Sequence, residues 1–167
     1  MKRTWTIVAA LGLASGALAN DHSDAAVEER ADVIAAADAF FEALRDPDKT
    51  ALADELLAEA VIFVHDRRDP DNARTMIVPA GTHLEAWLTS AAGVDEYMNY
   101  ESVLIDGDMA HVWGPYVFLL NGTPTHCGIN SMSMVKTEDG WKVGNTSFTM
   151  TAVEECATLG APEVPAQ

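Results

Sequence analysis

His111-Val112-Trp113-Gly114-Pro115-Tyr116-Val117-Phe118, then His126-Cys127-Gly128-Ile129-Asn130, then Val135-Lys136-Thr137-Glu138-Asp139-Gly140-Trp141-Lys142-Val143, is the stretch that decides the fold. Each run is rich in β-branched and aromatic side chains, which suit a pleated, half-buried surface. The gaps hold turn residues, Asn121-Gly122-Thr123-Pro124 and Glu138-Asp139-Gly140. The spacing predicts strands over 109–120, 125–136 and 141–151. Upstream, Asp106-Gly107-Asp108 reads as a hairpin turn and predicts a strand over 97–105. Gly114-Pro115 inside the long strand predicts a bulge or bend.

Working back toward the start, 60–65 reads as a strand and 75–78 as a shorter one. The charged loop 66–73 between them carries Arg67, Arg68 and Pro70. A helix is predicted over 83–91, ended by Gly93. Residues 49–57 read as a short helix with Leu52, Leu56 and Leu57 on one side. Residues 21–45 read as a long helix, with Val27, Ala31, Ile34, Ala35, Asp38, Phe41 and Leu44 at helical spacing. Ser23 or Asp24 would cap it and Pro47 would end it. Helices first and a curved antiparallel meander afterwards mean α+β.

The first nineteen residues predict a secretory leader. Lys2 and Arg3 are followed by an apolar run and by Ala17-Leu18-Ala19, an A-x-A cleavage pattern. The run is shorter than the roughly 20 apolar residues of a spanning helix. Cleavage after Ala19 would leave a domain over 20–154 and a tail over 155–167, exported and periplasmic. Residues 160–167 carry two prolines and no apolar periodicity, and are expected to be loosely draped.

The 167 residues include 26 Asp plus Glu against 10 Lys plus Arg, a net charge of −16. Loss of Lys2 and Arg3 with the leader would move it from −16 to −18. No basic surface is available to neutralise phosphates, so nucleic acid is not an expected partner. Anionic lipid is disfavoured for the same reason. An anionic ligand would approach against the field, which favours a neutral or cationic one, although Arg67, Arg68 and Arg74 could override this locally. His22, His65, His83, His111 and His126 are scattered, with no His-x-x-x-His or Cys-x-x-Cys pair. No metal and no cofactor is expected.

The ordered combination of Tyr116, His126-Cys127-Gly128 and Asp139-Gly140-Trp141-Lys142-Val143 resembles the nuclear transport factor 2-like superfamily, in particular its SnoaL-like, lumazine-binding branch. The resemblance spans roughly 26–151. It implies a cone-shaped, cystatin-like curved sheet wrapped around the long N-terminal helix, with an apolar pocket open at one end. It also implies homodimers paired through the outer sheet faces. Relatives include isomerases, dehydratases and cyclases as well as non-catalytic binding modules, so function has to be argued from the site.

His126 and Asn130 share parity on one strand and leave the same face. If that face is concave they meet the pocket near Tyr116. There an imidazole, an amide and a phenol could polarise a carbonyl or move a proton; alternatively they satisfy backbone groups in a twisted sheet. His65 ends a strand at the expected rim, and its neighbour Asp66 points the other way. Trp87, Trp113 and Met132 join Tyr116, His126, Asn130 and His65 as candidate ligand contacts, since aromatic and Met side chains suit an apolar or aromatic molecule. The last strand, 143–150, contains no Asp or Glu, which weighs against chemistry based on a carboxylate there. In an oxidising compartment Cys127 and Cys156 could bridge, closing a loop of about 30 residues and adding ~3.5 kcal/mol in the chain-entropy model. A buried free Cys127 is the alternative that the resemblance favours. The resulting expectation is an exported small-molecule-binding protein with a cavity of roughly 300 Å³ or more. The alternatives are an acid/base enzyme using His126, Tyr116 and His65, or an interaction domain with no pocket function.

Overall fold

The computed structural model describes residues 17–89 and 92–164, with side chains from residue 24. The predicted leader therefore lies almost wholly outside the described residues. Helix α1 spans Ala17–Arg45 and α2 Leu52–Glu55. Strands β1 (Val61–Asp66) and β2 (Arg74–Pro79) follow, then α3 (Ala80–Trp87). Five strands complete the sheet: β3 (Val94–Met98), β4 (Ser102–Asp106), β5 (Met109–Leu120), β6 (Thr123–Thr137) and β7 (Gly140–Met150). A short α4 (Cys156–Leu159) comes last. No described helix is long and apolar enough to cross a membrane.

The sheet order is β2-β1-β7-β6-β5-β3, with β4 also paired to β5. All pairs are antiparallel except β1 with β7, which run parallel. The fold is thus α+β, a curved and open sheet around α1, as the strand spacing indicates. Val33, Ala37, Phe41 and Leu44 of α1 are buried against inward residues of the sheet, among them Ile62, Val64, Val112, Met132 and Val143. This stripe differs from the expected one. Val27 is 68% exposed, and Ala31 and Ala35 also face solvent. The helix is so rich in alanine that composition barely distinguishes its faces, and the buried side includes Ala37 and Ala43 as well as Val33, Phe41 and Leu44. Because α1 already runs through Ser23 and Asp24, neither caps it.

Two other expectations change together. The strand predicted over 97–105 is two strands, β3 and β4, which pair with opposite halves of β5. The changeover occurs at Asn99–Glu101, beside Gly114-Pro115. A Cβ on Gly114 would sit 1.8 Å from the Asn99 carbonyl oxygen, so glycine here permits close approach of backbone. No bulge forms at Gly114-Pro115. The register shifts lie at Phe118/Leu119 and Met132/Met134.

The C-terminal segment is packed rather than loosely draped as far as Val164. Cys127 and Cys156 are joined in a disulfide, Cα–Cα 5.6 Å. Leu159, Ala161 and Val164 cover Val117, Leu119 and Cys127. Asn99 Nδ2 donates to the Gly160 carbonyl at 2.9 Å. These are outward positions of β5 and β6, so the segment lies on the convex side of the sheet.

Candidate functional site

Strand alternation carries one set of side chains into the concave face. Glu96 pairs across β3–β5 with Phe118, and Phe118 across β5–β6 with His126. Tyr116, one pleat along, pairs with Gly128. Asn130 pairs with Phe148 on β7. Together with Met132, Met150, Leu44 and Ile62, and with His83, Leu84 and Trp87 of α3, they line a cavity of about 210 Å³. Phe118 stacks on the His126 ring at 4.9 Å, and Tyr116 meets His126 and Phe148 edge-on.

Of the candidate residues, Tyr116, His126, Asn130, Trp87 and Met132 line this cavity. Two do not. Trp113 is on the opposite parity of β5 from Tyr116; it is 42% exposed and faces Ser131 on the outer surface. His65 is on the outward parity of β1, where Ser147 Oγ lies 3.1 Å from its Nε2 and Thr75 Oγ1 3.2 Å from its Nδ1. Parity says that His65 and Asp66 face opposite ways, and the structure turns Asp66 inward. There Arg68 donates to both Asp66 carboxylate oxygens, Nε at 2.9 Å and Nη2 at 2.8 Å. Those bonds hold the Asp66 carboxyl at about 2. It is a buried, permanently ionised anchor for the rim.

The residue that sequence reasoning missed is Glu96. It is 8% exposed, and Oε1 accepts a 2.7 Å hydrogen bond from Asn130 Nδ2. Among the described residues no cation pairs with the carboxyl. Arg45 donates instead to the Glu96 main-chain carbonyl and to Asp95. Burial, with the neighbouring Asp95 charge, pushes Glu96 up to about 8 despite the Asn130 bond. A carboxyl therefore stands in the cavity wall after all, on β3 and not on the last strand. The usable signal was alternation: Val94, Glu96 and Met98 share one face of a short strand, with an acid between two apolar neighbours.

The other polar groups are held in fixed states. Burial, with Arg68 nearby, lowers His126 to about 4, so its ring is neutral at pH 7. Thr125 Oγ1 lies 2.9 Å from its Nδ1. Burial also lowers His83, whose Nε2 accepts from Trp87 Nε1; the ring proton is then on Nδ1. Tyr116 Oη donates to the Thr149 carbonyl at 2.8 Å, and burial keeps the phenol protonated. Glu96 is thus the cavity carboxyl that changes charge near neutral pH. Among the described residues no group of three or more His, Cys, Asp and Glu is placed to hold a metal ion.

A curved open sheet around one long helix is shared with known structures. An NTF2-like protein with a cystatin-like fold from Novosphingobium aromaticivorans superposes over 88% of this chain and 96% of its own, with TM-score 0.61 and 13% identity. The chain has the nuclear transport factor 2-like fold. An NTF2-like protein of unknown function from Silicibacter pomeroyi matches over 75% of this chain and 98% of its own, with TM-score 0.57 and 15% identity. A ketosteroid isomerase-like protein from Erwinia carotovora atroseptica matches over 74% and 96%, with TM-score 0.54 and 19% identity. No family profile and no curated protein matches the sequence. At these identities the NTF2-like likeness concerns architecture, and the chemistry rests on the residues above.

Proposed function

We propose that this chain is an exported, periplasmic small-molecule-binding protein that holds one apolar or aromatic ring compound inside the cone. The observation that carries the reading is the cavity itself, walled by Tyr116, Phe118, Phe148, Met132, Met150 and Trp87. Its 210 Å³ is smaller than the roughly 300 Å³ expected of a drug-sized site. An apolar cavity of about 150 Å³ admits benzene, so the occupant is a single substituted ring. Native mass spectrometry of protein purified from its source tests this. The expected result is an adduct that is lost on denaturation. Bare protein in every preparation, with no thermal shift from any small ring compound, contradicts it.

A second reading, proton transfer on the bound molecule, is favoured by Glu96. A buried carboxyl near 8 can both give and take a proton at neutral pH. Neutral His126 stands on the same concave face and could polarise an acceptor. The name of the Erwinia relative is compatible with chemistry of this kind. Glu96→Gln would abolish turnover while leaving binding of a neutral ring compound within a few fold.

Homodimerisation belongs to the same proposal. Leu104, Met109, Trp113 and Val135 are all at least 39% exposed on the outer face of β4, β5 and β6. Contiguous apolar surface of this kind marks an interaction site.

A further inference from the structure

Glu96 lines two hollows at once. One is the apolar cavity in the cone. The other, also about 210 Å³, lies between the C-terminal half of α1, β3 and the segment after α4, and is lined by Asp38, Phe41, Glu42, Arg45, Tyr97 and Glu163 among others. Glu96 therefore stands between an apolar chamber, where its carboxyl meets Asn130, and an acidic cleft, where its main-chain carbonyl meets Arg45. Among the described residues the cleft's single cation is Arg45, which is already held by Asp95 at 2.8 Å and lies over the Tyr97 ring at 5.4 Å. It leaves the Glu96 carboxyl without a counter-ion.

Isolated carboxylates are rarely buried without a cation or a dense set of donors. Among the described residues one donor, Asn130 Nδ2, reaches the group. What the site lacks is a positive charge at one end of an apolar chamber. We propose that the molecule held in the cone is a small aryl or alicyclic amine, its ring in the apolar cavity and its ammonium against Glu96. This rests on the binding reading above and narrows its ligand to a cation. Asp38, Glu42 and Glu163 add negative potential on the same side, and the net charge of −16 favours approach of a cation.

The proton balance follows. Below its own midpoint Glu96 is protonated in the empty protein. An incoming R–NH3⁺ replaces that proton as the carboxylate's partner, so R–NH3⁺ plus the carboxylic acid gives the ion pair plus one H⁺ released to solvent. The titratable and charged groups around Glu96 in the two hollows are Asp95 and Tyr97 on its own strand, Asp38, Glu42 and Arg45 on α1, His83 on α3, Tyr100 after β3, Tyr116 on β5, His126 on β6 beside the amide of Asn130, and Glu163 on the C-terminal segment. Tyr100 and Tyr116 are pushed up and stay neutral, and His126 stays neutral above about 4. Amine affinity should then rise about tenfold per pH unit between pH 6 and 7.5, with close to one proton released per ligand. A neutral isostere should show neither.

Isothermal titration calorimetry tests this with benzylamine and benzyl alcohol, in two buffers of different ionisation heat, on the wild-type chain and on Glu96→Gln. The expected result is benzylamine at least tenfold tighter than benzyl alcohol at pH 7.5, with proton release. The substitution should remove the preference while leaving benzyl alcohol binding. Equal or tighter binding of the alcohol, or amine binding that is insensitive to pH in the wild type, overturns the amine proposal and leaves the cavity reading standing. Failure of both compounds, and of toluene, to bind overturns both.

Discussion

Glu96 is taken out of water by folding and is given only an amide for company. Its value in the folded chain, about 8, lies above the ordinary 4.5. The stability tied to it is fully present below 4.5 and is lost as pH rises through 8. Urea denaturation at pH 5, 6.5 and 8 should show the wild type losing a few kcal/mol over this range. Glu96→Gln should show a flatter profile. His126 acts with the opposite sign. Its value falls from 6.5 to about 4, so its share of stability is lost as pH drops across that interval; His126→Phe should weaken the acid-side loss. The inward triad Tyr116, His126 and Asn130 was legible because all three lie in long strands whose parity is unambiguous. Glu96 was not, because the predicted strand begins at Tyr97, three residues after β3 does at Val94. His65 was misplaced because alternation relates neighbours but does not say which face is inside.

At the level of elements, the break between β3 and β4 is what turns Glu96 into the cavity, and Gly114 makes that break possible. With a Cβ only 1.8 Å from the Asn99 oxygen, Gly114→Ala should cost at least about 3 kcal/mol, an unusually large effect for adding one methyl group. A melting curve reads it. Gly128 makes the same kind of contact with the Thr149 carbonyl, also 1.8 Å, and its alanine variant should behave alike. Gly-Pro inside a strand signals an irregularity in either case; only the partner strands reveal that it is a close approach and not a bulge. The Cys127–Cys156 link spans 29 positions. Replacing both residues by alanine should lower stability by about 3 kcal/mol in the chain-entropy model. Amide exchange should then speed up over 153–164 more than elsewhere, because Leu159, Ala161 and Val164 have little else holding them.

Across the whole molecule, the strand spacing and the helix-before-sheet order were enough for α+β, and the cone came from the resemblance carried by Tyr116, His126-Cys127-Gly128 and Asp139-Gly140-Trp141-Lys142-Val143. The parallel β1–β7 pair was not visible, since nothing local to either strand encodes a partner so distant in the chain. Trp113 was misassigned to the ligand although it lies three residues from Tyr116 on a stretch of β5 with unbroken register, which puts the two side chains on opposite faces. As a surface, Leu104, Met109, Trp113 and Val135 are exposed apolar side chains beside Asp106, which pairs with Met109 across β4–β5, and the proposed occupant is a second copy of the chain. Trp113→Glu should convert a dimer to a monomer in sedimentation velocity; a wild-type monomer at tens of micromolar would count against the pairing. The central claim, that the cone encloses a ligand site, is tested most directly by NMR of the chain labelled with ¹³C at its methionine methyl groups and titrated with a small aromatic ring compound. The account predicts saturable shifts of Met132 and Met150, which line the cavity, with Met109 on the outer face unmoved. Shifts confined to Met109, or none at any methionine, would contradict it.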